Sequence, residues 1–353
     1  MPPATAPDFD PPRLPTLFQA MHDLRERRRA IAELGGGKAK KAAERLDAVA
    51  GDQSMDADMI CLRAEAQRAA GRSGAARRTL REAKKRINGK LDAAMDRIDQ
   101  ALLAESVGEV PFHLLRKLPR HQPGATEVEG VKLVFPDGPA AFSAHQEIFA
   151  KRMYEIPPMD APRIIDGGAN IGLAAIFFCQ KHAGARVTCF EADPDVAVYL
   201  RKNLAAAGAE AVEVIEAALW SEEGSLTFSG EGSDAGRVGE SGAGKTKQVR
   251  AVRLSPYLKE HIDLLKLDIE GAEMEVLREC RDALGQVQRI FVEYHSFEGA
   301  PQCLDELLGI LRAAGFRLAV TVSDALTQRP FIEPGSSLGM DMRLNVFGFR
   351  DHV

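Results

Sequence analysis

The sequence has few cysteines, and they are scattered. Five occur in 353 residues, and no two of them form a C-x-x-C pair. This excludes the disulfide framework of small secreted domains and gives no zinc-knuckle spacing. A long apolar run is also missing. The longest, Ile171–Cys179, is about half of the roughly 20 residues that a membrane-spanning helix needs.

Neither sign of charge dominates the chain. The formal net charge of −5 gives no electrostatic reason to expect nucleic acid or an anionic membrane as a partner. The proline-rich start, residues 1–15, has neither the basic nor the apolar segment of a signal peptide. We interpret this stretch as a disordered tail and expect a cytoplasmic protein without a membrane span.

Proline is absent from residues 16–110, and Phe18 is the one aromatic residue there. Ala, Leu, Arg, Lys and Glu, which favour helices, fill the stretch. We predict a helical domain over these residues, with two helices joined near Gly71. The pair resembles a tetratricopeptide hairpin, but one repeat is too little for a solenoid, so a small bundle is the alternative. Such a domain offers a surface for a protein partner or for self-association.

The pattern changes in residues 111–353, where short β-rich runs alternate with amphipathic helical runs. Apolar strands that alternate with helices predict an α/β domain with a doubly wound, mostly parallel sheet. Ligands on such sheets bind at the carboxyl ends of the strands, near the point where the strand order reverses. We therefore look for the functional residues directly after the strands.

One glycine-rich stretch, GESGAGKT at Gly239–Thr246, matches the phosphate-binding loop G-x-x-x-x-G-K-[ST]. A working loop of this kind lies between a buried strand and a helix. Here no strand pattern precedes it at 229–238, and an edge-strand pattern follows it at 247–254. The match is therefore predicted to be accidental. A nucleotide triphosphatase or kinase that uses residues 239–246 is kept as an alternative function.

A second glycine motif follows the first strand of the alternating region. It reads D-x-G-x-x-x-G, with Asp166, Gly168 and Gly172 at its fixed positions. Ala169 stands where the dinucleotide fingerprint has its second glycine, which disfavours NAD. Glu191 ends the next strand, where an acidic residue binds ribose hydroxyls. A nucleoside ligand without a pyrophosphate, such as S-adenosylmethionine, fits this combination.

Four segments together carry a family resemblance: IIDGGANIG, FEADP, EAALWSEEG and VRLSPYLKEHIDLLKLDIEGAEMEVL. They resemble the FkbM-type methyltransferases over about residues 125–350. The resemblance implies a class I methyltransferase fold, S-adenosylmethionine as cofactor, and O-methylation. It further implies a small-molecule or glycan acceptor, with a sugar or polyketide hydroxyl as the methylated group. A non-catalytic interaction module built on this fold is a further alternative.

The resemblance and the strand positions together suggest the cofactor site. We assign cofactor binding to Asp166, Gly168, Asn170, Gly172, Glu191, Glu216 and Ala217. Glu216 is the residue whose type departs from the family pattern, which favours an amide there.

Methyl transfer to a hydroxyl needs alignment and a base. The ends of the fourth and fifth strands supply the candidate bases Asp268, Glu270, Glu273, Glu293 and His295. Of these, we predict that Glu270 and His295 face the transferred methyl, with Asp268 as a further catalytic candidate. A divalent cation held by Asp268, Glu270 and His295, as in catechol-type methyltransferases, is the alternative. The prediction is that no metal is needed.

Overall fold

The computed structural model describes residues 29–34, 36–49, 57–84, 109–230, 237–238, 245–323 and 339–350, with single positions at 329, 331, 332 and 335. The predicted tail, residues 1–15, lies outside the described residues, as do positions 231–236 and 239–244 of the glycine-rich segment. The chain divides into two compact units, Met1–Val107 and Gly108–Val353.

The first unit is helical in its described residues, as predicted. After a helical segment at residues 29–34 come three helices, α1 (Ala39–Val49), α2 (Ala57–Ala69) and α3 (Ser73–Lys84). Gly71, with φ of +73°, ends α2 and reverses the chain into α3. Buried side chains, four of them alanine, form the core of these helices: Ala30, Ala42, Ala43, Leu46 and Ala66.

The second unit is the α/β domain. Its described strands are β1 (Gly124–Val128), β2 (Val131–Phe135), β3 (Arg163–Gly167), β4 (Arg186–Glu191), β5 (Glu213–Glu216), β6 (Ala218–Leu219), β7 (Gly224–Gly230), β8 (Arg237–Val238), β9 (Lys245–Val252), β10 (Leu264–Leu267), β11 (Arg289–Phe297), β12 (Arg317–Val322) and β13 (Met340–Phe349). Its helices are α4 (Gly138–His145), α5 (Leu173–Lys181), α6 (Pro194–Ala206), α7 (Glu273–Cys280) and α8 (Leu304–Ala313). Among the described helices, none has both the length and the apolarity needed to cross a membrane.

Seven strands form the main sheet in the order β12-β13-β11-β10-β3-β4-β5. The five strands from β11 to β5 run parallel, and β13 joins β11 and β12 in antiparallel pairs. This is the class I methyltransferase architecture that was predicted. Because β3 pairs with β4 on one side and β10 on the other, the strand order reverses at β3. A crevice therefore opens at the carboxyl ends of β3 and β10.

A separate four-stranded sheet, β6-β9-β7-β8, contains Lys245 and Thr246, the last two residues of the phosphate-loop motif. Lys245 begins β9, and the backbone of this strand continues to Val252 in antiparallel pairing with β7. The described residues after the motif are thus strand, not helix, as predicted. Two details differ from the prediction. β9 is an inner strand between β6 and β7, and the strands β7 and β8 do precede the motif.

One buried amide joins three elements near the crevice. Asn203 on α6 accepts a hydrogen bond from the Val134 N–H at 2.8 Å and donates to the Val134 carbonyl at 2.9 Å. It also donates to the carbonyl of Ile171 at 2.8 Å. The β1–β2 hairpin and the turn after β3 are therefore held to the same helix.

Candidate active site

The turn after β3, residues 168–172, lies at the crevice, and the backbone of Gly168 and Asn170 forms part of its wall. Gly168 has φ of +79°, and a Cβ there would lie 1.8 Å from the carbonyl oxygen of Asp268. Only glycine fits so close to the neighbouring strand end. Asn170 follows with φ of +48°, and Gly172 with φ of +91° begins the passage into α5. The D-x-G-x-x-x-G spacing is thus explained by tight backbone packing.

Glu191, at the end of β4, is buried beside this turn. Its Oε2 accepts the N–H of Asn170 at 2.8 Å, and its Oε1 accepts the N–H of Asp193 at 2.9 Å. Burial raises the pKa of this carboxyl to about 7, although both backbone N–H groups favour the ionised form. The two hydrogen bonds fix the carboxylate in one orientation toward the cavity.

Lys266 is a buried cation in the apolar strand β10. Its Nζ lies 3.0 Å from Asp166 Oδ1 and 3.6 Å from Asp268 Oδ2. It also donates a hydrogen bond to the carbonyl of Gly168 at 2.9 Å. Burial alone would lower the pKa of the Lys266 ammonium, but Asp166 and Asp268 outweigh it and raise that pKa. The Lys266 side chain therefore ties the glycine turn to the end of β10.

Carboxylates crowd the ends of β10 and β11. Burial raises the pKa of Glu270 to about 8, and burial together with the Asp268 charge raises the pKa of Glu293 to about 7. Burial acts in the same direction on Asp268, but Lys266 and His295 prevail and lower its pKa. The pKa of Asp268 is therefore lower than its usual value, whereas those of its neighbours Glu270 and Glu293 are higher.

His295 lies behind these carboxylates, and its side chain is 0% exposed. Its Nδ1 is 2.9 Å from Oε1 of the buried Glu273, and its Nε2 is 3.7 Å from Oε2 of Glu270. Burial would lower the pKa of His295, but Glu273, Glu270 and Asp268 raise it to about 10. Glu270, by contrast, has φ of +52° and a side chain 26% exposed. Glu270 therefore faces the cavity and His295 supports it from behind.

A single cavity collects most of the predicted residues. Its wall includes Gly168, Asn170, Glu191, Ala217, Asp268, Glu270 and Glu293. Asp166, Gly172, Glu216 and His295 lie outside the lining residues. Asp166 is buried against Lys266, whereas Glu216 is exposed and lies 3.8 Å from Arg201.

Two residues that line the cavity, Lys266 and Phe228, were not assigned a role from sequence alone. Lys266 had a readable signal, because a lone lysine in an apolar strand must find charged partners if the strand is buried. Phe228 of β7 lines the cavity from the second sheet, beside Ala218. Nothing in the local sequence indicated that this sheet folds toward the crevice.

Comparison with known proteins shows the family of the chain. Residues 166–318 match the family model described as "Methyltransferase FkbM domain". The 31-O-demethyl-FK506 methyltransferase FkbM of Streptomyces tacrolimicus is 31% identical over 214 residues, which cover 49% of this chain and 80% of that protein. The chain belongs to the FkbM methyltransferase family.

Further relatives of this FkbM family member are methyltransferases too. Methyltransferase 1 of Beauveria bassiana is 27% identical over 208 residues, covering 51% of this chain and 82% of that protein. The 2-O-methyltransferase NoeI of Sinorhizobium fredii is 26% identical over 159 residues, covering 39% and 65%. The predicted family is therefore confirmed.

The cofactor of this FkbM-type fold is S-adenosylmethionine, and the cavity has the donors and acceptors that it requires. Gly168 presents backbone without a side chain at the cavity wall, and Glu191 offers a carboxylate oriented by two backbone N–H groups, a group that can accept hydrogen bonds from ribose hydroxyls. Ala217, Leu219 and Phe228 supply an apolar wall for a purine ring.

Proposed function

We propose that the protein is an S-adenosylmethionine-dependent O-methyltransferase acting on a hydroxyl of a sugar, glycan or polyketide-like small molecule. One observation carries the proposal: the same cavity joins a nucleoside-type site, Gly168 with Glu191, to a group of carboxyl side chains at the ends of β10 and β11. The first half suits the cofactor, and the second suits removal of a hydroxyl proton.

The relatives support the choice of oxygen as the methylated atom. The protein from Streptomyces tacrolimicus is described by a 31-O-demethyl substrate, and NoeI by 2-O-methylation. The acceptor of this chain is inferred from that chemistry, since a free hydroxyl is the group that such enzymes convert to a methyl ether.

We assign the cofactor contacts by their position on the wall. Glu191 accepts hydrogen bonds from the ribose hydroxyls, and the backbone at Gly168 and Asn170 receives the amino-acid tail. Ala217 and Phe228 contact the adenine. Asp166 and Gly172 act indirectly, because Asp166 positions Lys266 and Gly172 allows the tight entry into α5. Glu216 has no cofactor contact in this assignment, since its side chain is exposed.

When bound, S-adenosylmethionine supplies a sulfonium-activated methyl group. Glu270, the partly exposed carboxylate beside Asp268, would take the proton of the acceptor's hydroxyl as that oxygen is methylated. Asp268 orients the acceptor hydroxyl. His295 is a positioning residue for Glu270, since its Nε2 lies 3.7 Å from the Glu270 carboxylate and its buried side chain is not among the residues that line the cavity. Most of the rate acceleration comes from holding the two reactants in line.

We further propose a division of labour between residues 16–110 and residues 111–353. All assigned cofactor and catalytic residues lie after Pro162, so residues 111–353 carry the methyl transfer. The helical domain then serves to bind a protein partner, a second copy of the chain or part of a large acceptor.

Calorimetry with S-adenosylmethionine and with ATP tests the cofactor assignment. We expect S-adenosylmethionine to bind and ATP to give no heat, since the motif at 239–246 leads into a strand. A screen with methyl-labelled cofactor against sugar and polyketide alcohols then tests the reaction. Binding of ATP with release of phosphate, or methyl transfer only to nitrogen or carbon acceptors, would contradict the proposal.

A further inference from the structure

Three side chains at the ends of β10 and β11 are arranged around a common point. One ligand atom each of Asp268, Glu293 and His295 lies within 4.8 Å of the other two. Two carboxylate oxygens and an imidazole nitrogen at these separations form a donor set suited to a divalent metal ion.

The orientation of His295 points to a ligand of this kind. Its Nδ1 is 2.9 Å from Oε1 of Glu273, an oxygen that also accepts the N–H groups of Ile269 at 3.1 Å and Gly271 at 3.2 Å. Because a carboxylate only accepts, Nδ1 carries the proton in this pair. The second nitrogen, Nε2, has no hydrogen-bond partner although the side chain is 0% exposed. A carboxylate behind Nδ1 and an unpartnered Nε2 in front is the arrangement that metal-binding histidines adopt.

The charge around the cluster also favours a cation. Lys266 lies closer to Asp166, at 3.0 Å, than to Asp268, at 3.6 Å. Arg343 approaches one oxygen of Glu293 at 3.3 Å, and the same oxygen accepts a hydrogen bond from Ser323. The four carboxyl groups of Asp268, Glu270, Glu273 and Glu293 thus outnumber Lys266 and Arg343, the two cationic side chains described beside them.

We propose that Asp268, Glu293 and His295 Nε2 bind a divalent transition-metal cation such as manganese. The cation site considered from the sequence had Asp268, Glu270 and His295 as ligands. The geometry replaces Glu270 with Glu293, so Glu270 keeps its proposed role as the base. Asp268 and Glu293 line the cavity, so the ion is accessible to the acceptor. Such ions take about six ligands, and the positions left open suit an acceptor with two neighbouring oxygens. That last step rests on the proposed function, whereas binding of the ion does not.

Titration with Mn²⁺ of the full-length, chelator-treated chain tests the site. Free Mn²⁺ is followed by electron paramagnetic resonance. We expect about one bound ion per chain, and His295→Ala or Glu293→Gln should weaken its binding at least about tenfold. His182→Ala, which removes a buried histidine outside the cavity lining, is the matched control and should bind Mn²⁺ as the parent does.

Calorimetry with S-adenosylmethionine shows that each variant is folded and separates the two proposals. Should His295→Ala fail to fold, Glu293→Gln decides alone, because it keeps the size of the side chain. A chain that binds the cofactor but no Mn²⁺, or binds Mn²⁺ equally well in both ligand variants, overturns the cation site. A chain that binds Mn²⁺ but not S-adenosylmethionine keeps the cation site and defeats the proposed function instead.

Discussion

At the ends of β3 and β4, the cavity wall is built mainly from backbone. Gly168 packs directly against the Asp268 carbonyl, and Glu191 is fixed by two N–H groups. At the ends of β10 and β11, the wall is built from charged side chains that contact one another. The half at β3 and β4 is fixed by backbone contacts, and we assign cofactor binding to it. The half at β10 and β11 contains ionisable side chains whose charges change when a proton or an ion binds. We assign the removal of the acceptor's proton to this half.

The sharpest test of this division is Glu270→Gln. Loss of a general base typically slows turnover about 100- to 10,000-fold. Cofactor affinity should stay unchanged, because Glu270 belongs to the other half. Steady-state kinetics on the acceptor and calorimetry give the two numbers, with the exposed Glu275→Gln as control. Full turnover in Glu270→Gln would transfer the role of base to Asp268 or Glu293.

Next in size is Gly168→Ala. A Cβ at φ of +79° would come 1.8 Å from a carbonyl oxygen, so we expect a loss of roughly 2–5 kcal/mol in unfolding free energy. Gly208→Ala is a matched control, since φ there is +67° with no atom within 4 Å. That variant should lose only about 1–2 kcal/mol. Equal losses in urea denaturation would show that the close approach at Gly168 is unimportant.

Glu191→Ala should weaken S-adenosylmethionine binding by about 1–3 kcal/mol, the cost of removing hydrogen bonds to a charged group. Turnover at saturating cofactor should change little, because Glu191 lies at the ends of β3 and β4, the part of the cavity to which we assign cofactor binding. Calorimetry and saturation kinetics measure the two effects. A large fall in turnover with intact affinity would contradict the division of roles.

The pH dependence of cofactor binding gives a smaller effect. The pKa of Glu191 in the free protein is about 7, and ribose hydroxyls donate to its ionised form. Affinity should therefore rise about tenfold as pH increases from roughly 6 to 8, because the carboxyl becomes mostly ionised over that range. Glu191→Gln should remove the dependence. Flat affinity in the parent chain would mean that Glu191 is already ionised at the lower pH.

The smallest expected effect is at the phosphate-loop look-alike. Lys245→Ala should leave S-adenosylmethionine affinity within error, because Lys245 begins a strand and no helix N-terminus follows it to bind phosphate. Calorimetry with S-adenosylmethionine and with ATP measures both affinities. ATP binding that disappears in Lys245→Ala would revive the alternative function.

Much of this fold was predictable because its strands are buried on both faces. The apolar runs of β3, β4, β10 and β11 alternate with amphipathic helices, and the glycine turn and Glu191 follow from strand ends. The placement of β13 between β11 and β12 was not predictable, because pairing partners distant in sequence leave no local signal. Likewise, the β1–β2 hairpin over 124–135, with its turn at Glu129 and Gly130, follows no alternation of strand and helix.

The limits at the site have a similar cause. Glu216 ends the short strand β5, where four residues are too few to show which face is buried, and Ala217 lines the cavity instead. Glu273 was noted as a carboxylate, but its contact with His295 depends on how α7 packs against β11. Side chains brought together by packing between elements leave no spacing rule in the sequence.

Gly230, the last residue of β7, pairs with Lys245, the first residue of β9. This pairing indicates where the domain can accept inserted residues. Paired strand residues lie about 5 Å apart, so the chain leaves the sheet at Gly230 and rejoins it at Arg237 and again at Lys245, beside the same end of β7. Lengthening the connection between them adds a closure cost that grows only with the logarithm of its length. Such a position accepts insertions without moving Phe228 or Glu191. A new segment or an engineered reporter can therefore be inserted between Gly230 and Lys245 without disturbing the proposed cofactor site.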